Sequence, residues 1–220
     1  MKAVIFDMDG VIFDSERAML WSLQEVCRRR GIKDVTPYYP ECIGVTREMT
    51  VQIFQKVYGA DFDVEEFMAE GSRLYHERYD GGRMPVKEGA RELLTFLSER
   101  KVPLALASST RIESVKRQMK EAGLISFFEK IIGGDMVTKS KPEPDIFLCA
   151  AKELGVTAED CIVIEDSYNG IRAAHAAGMT PVMVPDMLEP NEEITVLCAK
   201  ICKSLKDFHQ LLVDEVFPFR

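Results

Sequence analysis

Lys2-Ala-Val-Ile-Phe-Asp7-Met-Asp9-Gly10-Val-Ile-Phe-Asp14-Ser15-Glu16 decides how the rest of the chain is organised. The apolar residues before Asp7 form a short strand that runs into two carboxylates one residue apart and then a glycine, which permits a tight turn. Successive strand side chains point to opposite faces, so Asp7 and Asp9 share a side while Met8 points away. Two acids this close repel each other, and a cation, a bound proton or a common chemical task must offset the repulsion.

A chain of 220 residues fits one large domain or a domain carrying a smaller insertion. Hydrophobic residues at 46% and charged residues at 29% are ordinary for a globular protein. The formal net charge of −8 argues against a nucleic-acid groove. The basic run Arg28-Arg29-Arg30 falls in the last turn of an expected helix, where cations favour the helix dipole. No apolar run is long enough to cross a bilayer, and Asp7 interrupts any signal-like segment, so a cytoplasmic protein without a membrane partner is expected. Cys27, Cys42, Cys149, Cys161, Cys198 and Cys202 form no C-x-x-C pair and read as small core hydrophobes. Cys198 and Cys202 have helical spacing, but no His or Cys cluster nearby completes a metal site.

Apolar spacing predicts a helix from Ser15 to Arg30, capped by Asp14 and closed by Gly31. Pro37 and Pro40 mark a loop that ends at Gly44, Thr46 caps a second helix to about Tyr58, and Val64 to Tyr79 gives a third. Gly81-Gly82 is a flexible joint. Beyond it the pattern alternates: helix from Lys87 to Glu99, strand from Val102 to Ala107, helix from Arg111 to Ala122, strand from Lys130 to Ile132. A helix from about Pro144 to Leu154, the strand Cys161 to Ile164, a helix from Tyr168 to Ala177, the strand Thr180 to Val184 and a last helix from about Leu205 to Val213 follow. Such alternation implies an α/β fold with a mostly parallel sheet covered on both faces, and the helical segment after the first strand is then an insertion.

In an open parallel sheet, ligands bind beyond the carboxyl ends of the strands. The first strand ends in Asp7 and Asp9, the next is followed by Ser108-Ser109-Thr110, and Ile164 by Glu165-Asp166-Ser167. The remaining element is the loop Ser140-Lys141-Pro142-Glu143-Pro144-Asp145. Together these suit phosphoryl transfer. Carboxylates at two strand ends can hold one Mg²⁺ while leaving positions for water and a phosphate oxygen, and the ion offsets repulsion between an anionic nucleophile and an anionic substrate. A lysine, a serine hydroxyl and loop N–H groups can receive phosphate oxygens. Ser109 and Thr110 fit either such a phosphate site or a helix cap. Asn169 and Gly170 read as a helix start with close packing.

At Asp7-Met-Asp9-Gly10-Val, Ser108, Lys141-Pro142 and Glu165-Asp166-Ser-Tyr-Asn-Gly170-Ile the sequence resembles the haloacid dehalogenase superfamily of aspartyl-phosphate phosphotransferases. Four motifs in family order cover nearly the whole chain. The resemblance implies a Rossmann-like doubly wound parallel sheet as catalytic core, residues 1–14 and 83–220, with a small α-helical cap domain inserted at 15–82. It further implies Asp7 as nucleophile and Mg²⁺ ligand, and Asp9 as general acid/base that also offers its main-chain carbonyl to the ion. Ser108 and Lys141 would hold the transferring group, Asp166 would be a further metal ligand, and Glu165 a direct ligand or a residue that orients one. The cap would act as a lid. Its substrate face is expected to include Gly44-Val45-Thr46-Arg47, with Arg47 binding an anionic or hydroxyl-rich part of the substrate, and Arg73 beside it.

Within the superfamily the sequence is similar to sugar-phosphate phosphatases and to beta-phosphoglucomutases. Where the mutases carry a histidine on the first cap helix, this chain has Met19, and the cap-loop lysine before Gly44-Val45 is replaced by Ile43. Both departures favour hydrolysis. The expected function is therefore a Mg²⁺-dependent phosphatase of a small phosphorylated metabolite, a sugar phosphate above all, present as a monomer or weak dimer. A hexose phosphomutase is the alternative, and a non-catalytic phosphate-binding module is a third class that would require a broken site. A dehalogenase reading is weaker because Asp9 supplies the second acid that metal-independent dehalogenases lack.

Overall fold

In the computed structural model, which describes residues 2–218, β1 (Ala3–Phe6) lies inside a six-stranded parallel sheet. Its companions are β2 (Leu104–Ser108), β3 (Lys130–Gly133), β4 (Cys161–Glu165), β5 (Thr180–Met183) and β6 (Lys200–Ile201), in the spatial order β3-β2-β1-β4-β5-β6. β1, β2 and β4 are buried along their whole length, as strands covered on both faces must be. Side-chain alternation sorts them between two cores. Val4, Phe6, Leu106 and Ile164 pack with α4 (Ala90–Glu99), α5 (Ile112–Glu121) and α9 (Leu205–Val213) on one face. Ala3, Ile5, Ala107 and Val163 pack with α6 (Asp145–Leu154) and α7 (Tyr168–Ala176) on the other.

Register sets the position of the chemistry. Phe6 is level with Leu106 on one side and Ile164 on the other, so Asp7 leaves the sheet beside Ala107 and Glu165. The strand order reverses direction at β1, and this is where a crevice opens in a doubly wound sheet.

Between β1 and β2 the chain builds α1 (Ser15–Arg30), α2 (Arg47–Tyr58) and α3 (Val64–Tyr79) around an apolar cluster of its own that includes Leu23, Val26, Phe54, Phe67 and Leu74. The chain leaves and rejoins the sheet side by side: Phe13 bridges Val86 in antiparallel fashion and the Asp14 N–H donates to Pro85 O at 2.9 Å.

Several local expectations are corrected. Asp14 occupies the N-cap position of α1 but caps nothing with its side chain. Its carboxylate lies instead 3.4 Å from Arg17 and 3.8 Å from Lys87. α4 starts at Ala90 rather than Lys87, because Gly89 adopts the left-handed conformation (φ 84°) and breaks the helix. Val102 closes α4 by donating to Leu97 O, so β2 begins at Leu104. The short α8 (Glu192–Leu197) and the two-residue edge strand β6 were not anticipated. Among the described residues, no helix is long and apolar enough to cross a membrane.

Asp186, beyond β5, has a fully buried carboxylate that receives Lys87 Nζ at 2.7 Å and lies 3.5 Å from Arg17. Lys87 follows the returning linker and Arg17 belongs to α1, so one buried acid ties the sheet to both crossings. Lys87→Met removes the nearer cation and is expected to cost about 2–3 kcal/mol in urea unfolding. Adding Asp186→Asn should recover most of that loss. An additive double variant would show that the pair is not coupled.

Candidate active site

Three strand ends and one loop deliver five polar side chains to one place. Asp7 follows β1, Ser108 ends β2, Glu165 ends β4 with Asp166 next, and Lys141 reaches in from the loop before α6. Lys141 Nζ donates to Asp7 Oδ1 at 2.5 Å, to Glu165 Oε1 at 2.7 Å and to Ala107 O at 3.2 Å. The Lys141–Pro142 peptide bond is cis. Glu165 Oε2 accepts from Asp166 N and Ser167 N, each at 2.8 Å, and from Ser167 Oγ at 2.9 Å. Both oxygens of Glu165 are therefore spent on holding the lysine and shaping the loop. Room for this carboxylate exists because residue 170 is glycine: a Cβ there would sit 1.7 Å from Glu165 Oε1.

Asp9 is held from the β2 side. Its Oδ2 accepts from Ser108 Oγ at 3.3 Å and from Thr110 Oγ1 at 3.1 Å, while Thr110 N donates to Ser108 Oγ at 3.0 Å. Thr110 is thus committed to Asp9 and not to the cap of α5. Asp135 performs that capping, accepting from Ile112 N at 2.8 Å. Asp166 packs against Gly10, where a Cβ would fall 2.1 Å from Asp166 Oδ2.

Four carboxylates, Asp7, Asp9, Glu165 and Asp166, share one ammonium here. Burial pushes Asp7 up to about 8, against the pull of Lys141 and with the help of Glu165 and Asp9. Asp166 is pushed well above the ordinary carboxylate range by burial and then by Glu165 and Asp7. Burial opposes the charge on Lys141, but Asp7 and Glu165 outweigh it and hold the ammonium protonated. The uncompensated negative charge is of the kind a divalent cation relieves.

The donor set also fits such a cation. Among the described residues, the Asp166 carboxylate has neither a hydrogen-bond donor nor a cation beside it, and Asp7 Oδ2 has no donor. No three Asp, Glu, His or Cys side chains among the described residues converge to hold a metal unaided.

Above these groups lies a cavity of about 760 Å³ between the sheet and the helical insertion. Asp7, Asp9, Lys141, Glu165 and Asp166 line it, as do Ser109 and Thr110. Arg47 reaches its edge, but its guanidinium is paired with Glu65 through Nε at 2.8 Å and through a second, shorter contact. Arg73 bonds Glu66 at 3.1 Å and does not line the cavity. Met19 and Ile43 do. The insertion is tied down by Asn169 Nδ2, which donates to Gly44 O.

Sequence reading did not single out Glu16, Tyr39, Tyr75 or Gln118, which line the same cavity. Tyr39 OH donates to Glu16 Oε2 at 2.7 Å. Burial, opposed by the Tyr39 hydrogen bond and aided by Asp9 and Asp186, pushes Glu16 up to about 7. Only Glu16 had a visible signal, its place two residues after Asp14 on the first turn of α1.

Residues 4–184 match the profile of the haloacid dehalogenase-like hydrolases. A Thermotoga maritima protein named a phosphorylated carbohydrates phosphatase is 31% identical over 181 residues, covering 81% of this chain and 82% of its own. A Bacillus subtilis protein named beta-phosphoglucomutase is also 31% identical, over 84% of this chain and 83% of its own. The crystal structure of a HAD family hydrolase from Deinococcus radiodurans with bound phosphate and sodium superposes with a TM-score of 0.82 at 28% identity, covering 97% of this chain and 96% of that one.

Proposed function

The chain belongs to the haloacid dehalogenase-like hydrolases, and on that premise we propose that it is a phosphatase that cleaves a small phosphorylated metabolite, a sugar phosphate above all, through an aspartyl phosphate on Asp7. The observation that carries this reading is Asp7 itself. It is buried at the end of an inner strand, one oxygen is fixed by Lys141, and the other faces the cavity without a donor among the described residues.

In the first half-reaction that free oxygen attacks phosphorus, the bond to the leaving oxygen breaks, and Asp9 gives the departing alcohol its proton. In the second, Asp9 takes a proton from water, whose oxygen attacks the aspartyl phosphate and releases inorganic phosphate. Ser108 and Thr110 aim the Asp9 carboxylate through the hydrogen bonds to its Oδ2. Lys141 supplies a fixed positive charge beside the nucleophile for the phosphoryl oxygens. Asp7, Asp166 and the main-chain carbonyl of Asp9 would hold Mg²⁺, which when bound offsets the repulsion between carboxylate and phosphate. Glu165 is assigned to positioning Lys141, since neither of its oxygens is free.

A mutase is the second reading, favoured by the relative of that name. Both readings share the aspartyl phosphate and differ in what accepts its phosphoryl group. Incubation with a hexose phosphate and Mg²⁺ is expected to release inorganic phosphate, with at least about a 10²-fold loss in excess EDTA and recovery when Mg²⁺ is restored. Interconversion of hexose 1- and 6-phosphates faster than phosphate release would replace the phosphatase by the mutase. Activity untouched by EDTA would remove the metal from the reading.

A further inference from the structure

The wall of the cavity supplied by α1, the loop after it and α5 carries polar atoms that nothing among the described residues satisfies. Ser15 Oγ and Gln118 Oε1 are buried and have no hydrogen-bond partner among the described residues. Glu16 Oε2 is fixed by the Tyr39 hydroxyl, itself only 6% exposed, while its Oε1 has no donor among the described residues. All of these residues line the cavity that holds Asp7 and Asp9. A buried acceptor left without a donor destabilises the site, and a ligand that brings hydroxyl groups relieves that cost.

Among the described residues, every cation at this wall is already paired. Lys141 is consumed at the strand ends by Asp7 and Glu165. Arg47, at the cavity edge, is clamped by Glu65, and His76 faces the Asp80 carboxylate at 3.0 Å. An anionic group placed against this wall would meet the Glu16 carboxyl with nothing to neutralise it.

We propose that Glu16, braced by Tyr39, is the specificity-determining side chain of this site: with Gln118 and Ser15 it accepts hydrogen bonds from hydroxyls of an uncharged polyol-like leaving group, and it excludes substrates bearing a second phosphate. The assignment rests on the phosphatase reading and narrows its substrate class. It also bears on the mutase alternative, because a sugar bisphosphate is the species this wall rejects.

Initial rates with Mg²⁺ on three substrates separate the two levels. Acetyl phosphate, which has no hydroxyl to read, reports the phosphatase alone. A hexose 6-phosphate and the corresponding 1,6-bisphosphate report the wall. Wild-type protein is expected to favour the monophosphate over the bisphosphate by about 10-fold or more in kcat/KM, the equivalent of one charged contact. Glu16→Gln keeps the shape and an acceptor oxygen but loses the charge, so it should shrink that preference toward unity. Glu16→Leu should in addition raise KM for the monophosphate by about 10-fold relative to acetyl phosphate, and Tyr39→Phe should raise it in the same direction. Wild-type cleavage of acetyl phosphate with equal kcat/KM for monophosphate and bisphosphate overturns the proposal, as does a preference that survives Glu16→Leu. Failure to cleave acetyl phosphate at all overturns the phosphatase reading and this one with it.

Discussion

Asp7→Asn is expected to abolish phosphate release, by about 10⁴-fold or more, and to make the metal-free protein more stable. The kinetic loss follows from removing the oxygen that forms the covalent bond, for which neither Asp9 nor Glu165 can substitute: the first is turned toward Ser108 and Thr110, the second is closed by its own loop. The gain in stability follows from the acid cluster. Burial raises the Asp7 carboxyl to about 8 in the folded protein, whereas the unfolded chain releases the proton near the ordinary 3.8. A carboxyl whose pKa is raised by folding contributes fully below the lower value, and that contribution is lost as pH rises from about 4 to 8. Asparagine cannot ionise, and its amide oxygen can still accept from Lys141. Melting curves in EDTA should therefore nearly coincide at pH 4 and separate at pH 8, where the variant should melt higher by roughly 5 °C or more. Mg²⁺ should narrow the gap by stabilising the wild type more than the variant. A variant that melts lower than wild type at pH 8 would show that the Lys141 pair outweighs the carboxylate repulsion. Wild-type turnover in the variant would remove Asp7 as nucleophile.

The parts of this site that were legible in the sequence are those attached to strand ends. Asp7, Ser108, Glu165 and Asp166 follow or end short apolar runs, and parallel register places such residues at one edge of the sheet. Side chains with two compatible tasks were ambiguous. A hydroxyl before a helix suits a cap or an active site equally, and Thr110 was settled only by Asp135, whose carboxylate arrives from 23 residues further along to take the Ile112 N–H. Arg47 has the same difficulty, since its partner Glu65 stands on another helix. The wall formed by Glu16, Tyr39 and Gln118 was least visible. It joins residues from α1, a loop and α5, none of which carries a pattern of its own. At Met19 and Ile43 the sequence lacks polar groups, and both residues line the cavity, where they add apolar surface beside the unsatisfied acceptors.

Gly170→Ala sets helix propensity against the geometry of Glu165. Gly170 is the third residue of α7, and on propensity alone alanine should stabilise that helix by about 1 kcal/mol. The new Cβ, however, would stand 1.7 Å from Glu165 Oε1 and 1.9 Å from its Cδ. No small adjustment relieves contacts that short, because the carboxylate is 1% exposed and held at both oxygens. Glu165 must turn away, leaving Asp166 N and Ser167 N without their acceptor and Lys141 with Asp7 alone. Overpacking and the unsatisfied donors together should cost about 2–4 kcal/mol, against the smaller propensity gain. The displaced ammonium should lower kcat by about 10²-fold, since a shift of about 1 Å at the reacting centre has that effect. The cause can be isolated with Glu165→Ala: once the carboxylate is gone, adding Gly170→Ala should no longer destabilise, and the double variant should be clearly more stable than the sum of the single changes. If Gly170→Ala melts above wild type and keeps its turnover, Glu165 has another place to go, and the anchoring of Lys141 does not depend on it.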